Sequence, residues 1–385
     1  MAQSKDPLTE TPTYKEAILA FNKLETNTID NRRTGFENCK KYLIRTGISL
    51  DDLNRVPIIH IAGTKGKGST CAYLESIIRN HGFKTAFYTS PHLVRVRERI
   101  KINENEFDMP SRLTFMTVLA FHVILAADID MAIFEVGCGG EYDSTNIIQQ
   151  PICVGITLLE IDHTPLLGDK LSSIAWHKAG ILKPNVPAYT LEQHPEAFDI
   201  LRQRSIEKNC NLTTVSVDKL KILKTYPPKL GIDSDVQFKN AALAVQLAET
   251  FIKKFKYNNN QKIDFDKNIA EEALKNTKWP GRTQIIHGKY LDIYLDGSHT
   301  HAAMKNCVDC DSVESQNTSV TLDEQMKKCD KHAEAWTFSP AIIKQSVAQA
   351  LQHILDDKSK NNHKIIVLIT GSLYLTGPAL NFTLN

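Results

Sequence analysis

The sequence predicts an α/β protein: a mostly parallel sheet carrying a phosphate loop, followed by a smaller α/β C-terminal domain. Three observations predict it. Short β-branched runs alternate with helical patterns along most of the chain, as expected for strands joined by crossover helices. Residues 60–70 read His-Ile-Ala-Gly-Thr-Lys-Gly-Lys-Gly-Ser-Thr, a glycine-punctuated loop between an apolar strand and a helix. Carboxylates and hydroxyls recur just after the predicted strands, at the edge where such sheets bind ligands.

The elements follow in order. Residues 56–61 form a β-branched run suited to a buried parallel strand, read as a strand over 58–62, and 71–81 place Cys71, Leu74, Ile77 and Ile78 at helical spacing. Further strands are predicted at 85–88, 131–136, 153–159 and 188–190, with helices at 113–126, 171–179 and 194–208. Alanine and leucine in 238–255 predict a long helix, and the asparagines and lysines of 257–266 a surface loop. Trp279-Pro280-Gly281-Arg282 reads as a hinge. Beyond it, a strand at 290–295, a helix starting at His301, a polar region at 311–334, a helix at 341–355 and a strand at 364–370 make a second α/β unit. The expected domains are residues 1–284, which bind the ligands, and 285–385, an abbreviated α/β unit.

At 385 residues the chain is too long for one ordinary core. Lysine plus arginine against aspartate plus glutamate is 46 against 44, so no global field favours nucleic acid or an anionic membrane. Neither is an expected partner, and binding falls to local sites. Eight cysteines lack a secreted-domain spacing and no apolar N-terminal segment suggests export, which predicts reduced thiols and a cytoplasmic setting. Asp6, Glu10, Glu16, Glu25 and Asp30 argue against an acid-poor transit peptide, although a mitochondrial form stays open as the alternative. No run approaches the length of a membrane span.

Chemistry concentrates in a few places. Gly63, Gly66 and Gly68 let the loop turn tightly and bring backbone N–H groups against phosphate oxygens, and the helix N-terminus adds its dipole. Lys67 supplies a cation and Ser69 or Thr70 a hydroxyl. The first glycine is off register, since Gly-x4-Gly-Lys would place it at position 61. A packing turn is the alternative, but Lys65 and Lys67 would serve no packing purpose inside it, so a nucleoside triphosphate is expected. Glu135 ends an apolar strand before Gly137-Cys138-Gly139-Gly140, and Asp162-His163 follow another strand. Beside a triphosphate, such oxygen ligands with one imidazole suit Mg2+. The alternatives are a solvated carboxylate at Glu135 and a capping or satisfied histidine at His163. Ser90, after the 85–88 strand, is a further candidate for the metal shell. Arg95, Arg97, Arg99 and Lys101 alternate, lining either an anionic substrate's path or a solvated edge strand. From the residues alone, Lys178 reads as a helix C-terminal cation. Asp296, after the 290–295 strand, suits ribose hydroxyls, whereas a zinc site from His299, His301, Cys307 and Cys310 is disfavoured because the cysteines fall inside a predicted helix.

Taken together and in order, seven motifs resemble the folylpolyglutamate synthase family, which is itself related to the Mur ligases. They are Gly-Thr-Lys-Gly-Lys-Gly-Ser, Tyr-Thr-Ser-Pro-His-Leu, Glu-Val-Gly-Cys-Gly-Gly-Glu-Tyr-Asp-Ser-Thr-Asn, Ile-Asp-His-Thr-Pro-Leu-Leu-Gly, Ala-Trp-His-Lys-Ala-Gly-Ile, Trp-Pro-Gly-Arg-Thr-Gln and Asp-Gly-Ser-His-Thr. The resemblance runs from about residue 14 to 305 and resumes at Val367. It implies a Mur ligase-like central domain and a monomeric carbon–nitrogen ligase serving folate retention and one-carbon metabolism. That ligase would use ATP to activate the γ-carboxylate of tetrahydrofolate or another folate as an acyl phosphate, which L-glutamate attacks. Mg2+ is the implied cofactor, with a monovalent cation such as K+ as a further candidate. Carried over, Gly63, Thr64, Lys65, Gly66, Lys67, Gly68 and Ser69 cradle the phosphates, and Lys67 touches the transferred phosphoryl. Ser90 and Glu135 hold one Mg2+, and His163 a second; Lys178 matches a lysine often carbamylated into an anionic metal ligand. Asn240 meets adenine, Arg282 the phosphates and Asp296 the ribose, with His299 close to the nucleotide. The sequence also departs from the family pattern. It lacks about a helix's length of chain after Phe107, and between Cys310 and Lys364 it lacks a strand and a Phe-Asn-x-Thr-Gly-Asp-Arg type segment. The alternatives to the synthase are an impaired nucleotide- or folate-binding variant from a truncated or spliced gene, and a dihydrofolate synthase.

Overall fold

The structure is a computed structural model, and it describes residues 35–90, 100–102, 105–106, 113–232, 234–259, 264–287, 291–295 and 365–369. It divides into two compact units, residues 1–278 and 279–385.

The first unit is built on an eight-stranded sheet of β1 (Ile58–Ala62), β2 (Thr85–Tyr88), β3 (Ile100–Ile102), β4 (Asn105–Glu106), β5 (Met131–Glu135), β6 (Cys153–Ile156), β7 (Ala188–Leu191) and β8 (Leu212–Val215). The strand order is β4-β3-β2-β5-β1-β6-β7-β8. From β2 to β8 every pairing is parallel, while β3 and β4 close one edge antiparallel. β1, β2, β5 and β6 are buried along their whole length, which is why they read as continuous apolar runs rather than alternating ones.

Helices cover both faces. Helix α1 (Gly35–Arg45) and α3 (Leu113–Ala126) enclose a core of Cys39, Leu43, Phe121, Tyr88 and Phe134, with Phe121 stacked on Phe134 at 4.6 Å between ring centroids. Helix α2 (Lys67–Asn80) follows the phosphate loop; α4 (Thr164–Leu167), α5 (Leu171–Lys178) and α6 (Pro195–Glu207) come later. α5 and α6 pack with Val154 and Ile156 of β6 in a second core. On the opposite face α7 (Asp235–Asn259) lies along α2 and crosses β6. Small residues allow that approach: a Cβ on Gly155 would stand 2.9 Å from Leu247 Cδ1, and Ala241, Ala242, Ala244 and Ala248 are fully buried. Helix α8 (Lys267–Asn276) is capped by Asp266, whose Oδ1 accepts from the amides of Asn268 and Ile269.

In the second unit, β9 (Gln284–His287), β10 (Leu291–Leu295) and β11 (Ile365–Ile369) form a sheet in the order β11-β10-β9. β10 runs parallel to β11 and antiparallel to β9. The helices expected around 301 and at 341–355 lie outside the described residues.

Two expected strands are shorter in the structure. The strand expected at 153–159 ends at Ile156, because the chain there turns to the phosphate loop: Leu158 O accepts from the amides of Thr64 and Lys65 at 3.0 and 3.1 Å. The strand expected at 131–136 ends at Glu135. The loop expected at 257–266 begins late, since α7 continues to Asn259. No helix among the described residues is long and apolar enough to cross a membrane.

Candidate active site

The site gathers at the carboxyl edge of the central strands. β1 ends at Ala62 and the chain reverses through Gly63, at φ +150°, and Gly66, at φ +86°, into α2. Both glycines are required by their surroundings. A Cβ on Gly63 would fall 1.7 Å from Thr157 Oγ1, and one on Gly66 would fall 2.1 Å from Asn240 Oδ1. Gly66→Ala therefore faces both a left-handed backbone, costing about 1–2 kcal/mol, and a clash with Asn240. If the loop binds the nucleoside triphosphate the sequence predicts, the variant should lower that affinity about tenfold or more by calorimetry; unchanged affinity would remove this turn from the predicted cradle.

The loop is tied down from one side. Thr64 Oγ1 donates to Glu160 O and accepts from Glu160 N, each at 3.0 Å. The amides of Thr64 and Lys65 are thus engaged together with the Thr64 hydroxyl, and the anion-binding capacity falls on the N-terminus of α2, where no side chain supplies a cap. Ser69 and Thr70 are buried in the first turn, and Thr70 Oγ1 has no partner.

Charged groups converge on this turn. Lys67 Nζ lies 3.4 Å from Thr64 O and 3.9 Å from Glu135 Oε1. Glu135 Oε2 accepts from the Ser90 amide at 3.1 Å. Glu135 is only 4% exposed, so it is not a solvated loop carboxylate. Lys65 Nζ lies 3.6 Å from Asp162 Oδ2, and Asp162 Oδ1 accepts from the His163 amide at 2.8 Å. His163 opens α4 with a left-handed backbone, φ +55°, and its ring makes no capping hydrogen bond.

Lys178 ends α5, as expected, but it is not a solvated helix-end cation. It is 3% exposed, and its Nζ donates to Gly63 O at 2.8 Å. Burial, helped by the nearby charge of Lys67, pulls its amine down to about 7. Its place is set by the segment after β5. Glu141 N donates to His177 O, Cβ atoms on Gly140 and Gly180 would strike the facing backbone, and the Glu141 carboxylate is held by Arg204 and Lys208. Arg204 also lies over the Trp176 ring at 4.6 Å.

Sequence reasoning missed part of this neighbourhood. Glu160, whose carboxyl is raised by burial and whose Oε2 has no partner, stands beside the loop; its only signal was proximity to Asp162. His60, Asp143 and Thr145 lie within quoted motifs, but residue type and spacing give none of them a role. Asn240 is buried in α7, with Nδ2 donating to Gln237 Oε1 at 3.0 Å. Arg282 belongs to the second unit, its amide donating to Trp279 O. Asp296 and His299 lie outside the described residues, as do Arg95, Arg97 and Arg99, while Lys101 sits on β3 next to the sheet edge.

The donor set suits a hard cation brought with phosphate. Among the described residues no three acidic, histidine or cysteine side chains gather into a protein-only cage. One buried carboxylate with a neighbouring serine fits Mg2+, which keeps waters and takes phosphate oxygens.

Comparison with known proteins gives the family and the fold. The folylpolyglutamate synthase, mitochondrial, of Bos taurus is 39% identical over 77% of this chain and 59% of its own length. The "Putative folylpolyglutamate synthase" of Caenorhabditis elegans is 32% identical over 96% of this chain and 92% of its own. The chain thus spans about three-fifths of the length of the mammalian relatives it matches. Among solved structures, the apo form of L. casei FPGS superposes with a TM-score of 0.71 at 22% identity over 97% of this chain and all of its own. A bifunctional folylpolyglutamate synthase/dihydrofolate synthase with Mn, AMPPNP and L-glutamate bound gives a TM-score of 0.73 at 20% identity over 97% and 99%. No family model matches the chain. The α/β fold is that of these structures, and by its likeness to the Caenorhabditis relative along nearly the full length of both, the chain belongs to the folylpolyglutamate synthase family.

Proposed function

We propose that the protein is an ATP-dependent ligase that joins L-glutamate to the γ-carboxylate of tetrahydrofolate or a related folate. The observation that carries the reading is the convergence of the uncapped α2 N-terminus, Lys67, Glu135 and Lys178 at one sheet edge. Two anions must react there, a carboxylate and a triphosphate, so the site has to neutralise charge and align the reactants. A folate carboxylate oxygen attacks the γ-phosphorus, breaking its bond to the bridging oxygen and releasing ADP. The glutamate amine then attacks the acyl carbon, phosphate leaves with the bonding electron pair, and the amine gives up a proton as the amide forms.

Each residue has a physical task. The amides at the start of α2 hold phosphate oxygens, and Lys67 follows the charge on the transferred phosphoryl. Ser90 and Glu135 would hold one Mg2+ and His163 with Lys178 a second. When bound, Mg2+ would screen the phosphate charge from the incoming carboxylate. An amine pulled down to about 7 is largely neutral just above that pH, and a neutral amine is the form that adds CO2 to give a carbamate and a proton. Lys178 carbamylated in this way becomes an anionic ligand. Within the first unit, Asn240 is the proposed adenine contact, beside Gly66. We place the enzyme in the cytoplasm as a monomer, with K+ as a further cation.

The test is direct. Purified protein with ATP, Mg2+, tetrahydrofolate and labelled glutamate should release ADP and yield a folate longer by one glutamate. Replacing the folate with dihydropteroate separates this ligase from a dihydrofolate synthase.

A further inference from the structure

β1 is a run of aliphatic residues interrupted by one histidine. His60 is fully buried, on the same side of the strand as Ile58 and Ala62. A polar ring costs free energy there, and packing alone would favour another isoleucine. Its Nε2 lies 2.8 Å from Thr145 Oγ1. Thr145 in turn donates its hydroxyl proton to Asp143 Oδ1 at 2.6 Å, and its amide donates to the same oxygen at 2.9 Å. The Thr145 hydroxyl has a single proton and gives it to Asp143, so His60 Nε2 carries the hydrogen that Thr145 receives. Nδ1 is left bare, and it has no partner. Burial, with the charge of Lys183 beside it, holds the ring neutral, pulled down to about 3.

The chain of bonds ends at the site. Asp143 Oδ2 accepts from the Cys138 amide at 3.0 Å, and the carboxylate also takes the Gly137 amide. These are the second and third residues after Glu135, on the turn that leads to the segment seated against Lys178. We propose that His60 is a positioning residue, fixing the Glu135 turn to the middle of the central strand through Thr145 and Asp143. The proposal rests on the ligase reading. Its logic is that of outer-shell groups, which set the orientation of a ligand they never touch.

The test follows folate-dependent ADP release across Mg2+ concentrations, with circular dichroism as the check on folding. His60→Leu is expected to stay folded, lose about tenfold in kcat, need more Mg2+ and keep its KM for glutamate. His60→Gln, which carries an N–H at similar reach, should recover most of the loss. The double variant His60→Leu/Thr145→Val should be no worse than the weaker single variant, since both cut one chain. Wild-type kcat and Mg2+ dependence in His60→Leu with only a lowered melting temperature would overturn the proposal. So would multiplying losses in the double variant, or a glutamine variant as impaired as leucine. Should His60→Leu fail to fold, Thr145→Val read against Thr145→Ser decides by the same criteria. A wild-type protein without folate-dependent turnover defeats the ligase reading alone. Mg2+-dependent binding of a fluorescent ATP analogue to wild type and His60→Leu then judges the positioning role, and equal Mg2+ dependence overturns it.

Discussion

Lys67→Ala is expected to abolish turnover while leaving the fold intact. Lys67 is the cation at the first position of α2, reaching Thr64 O and Glu135 from inside the turn. An ammonium aimed at a phosphoryl group in flight acts on charge that develops in the transition state, in a site where water competes poorly. Removing one such group costs about 10²–10³-fold in kcat. The backbone around it is fixed independently by Gly63, Gly66, Leu158 and Glu160, so the loop keeps its path without the side chain. Glu135 loses an ion pair but retains the Ser90 amide. The variant should therefore give an unchanged circular dichroism spectrum and a collapse in ADP release; wild-type-like turnover would refute the phosphate-loop role of this lysine.

Lys178→Ala is expected to cost about as much, 10²-fold or more, by removing the side chain proposed to carry a metal-holding carbamate. A small carboxylate supplied in solution should restore part of the activity, as it would not for a lysine acting as a cation. The pH dependence has a definite sign. The folded amine is pulled down to about 7 from an ordinary 10.5, so between those values the unfolded chain binds the extra proton. Through this group, stability rises with pH across that window, and the full penalty of burying an ammonium is present below about pH 7. Lys178→Met removes this rise. Lys183, pulled down to about 8 by burial, adds a similar trend of its own, so the slope should fall by one group's share rather than vanish. Carbamate formation follows the neutral amine and increases as pH climbs through 7. Protein at pH 8 in 13C-labelled bicarbonate should show a carbamate carbon that Lys178→Ala lacks. Full activity without that signal would exclude the carbamate.

Much of the first unit was legible in the sequence because its strands are buried on both faces. β1, β2 and the helices at 113–126 and 235–259 announce themselves by apolar runs and helical spacing. β8 was not, since two of its four residues, Thr213 and Thr214, are exposed and carry no apolar signal. The end of β6 was hidden for a different reason: apolar residues continue past it, but Leu158 has turned its carbonyl to the phosphate loop. In the site, Gly63, Gly66, Lys67 and Glu135 were readable from residue type and spacing. Lys178 was not readable from spacing, because only tertiary burial separates it from an ordinary helix-end lysine. His60 was hidden in the same way. A lone histidine in an apolar strand gives no hint that its partner is 85 residues away.

The most direct test of the account is the ligase assay on the purified chain with ATP, Mg2+, tetrahydrofolate and labelled L-glutamate. One ADP should be released for each glutamate joined to folate, with both products absent when any one component is omitted. ATP binding with neither ADP nor an extended folate, while a known synthase works alongside, would contradict it.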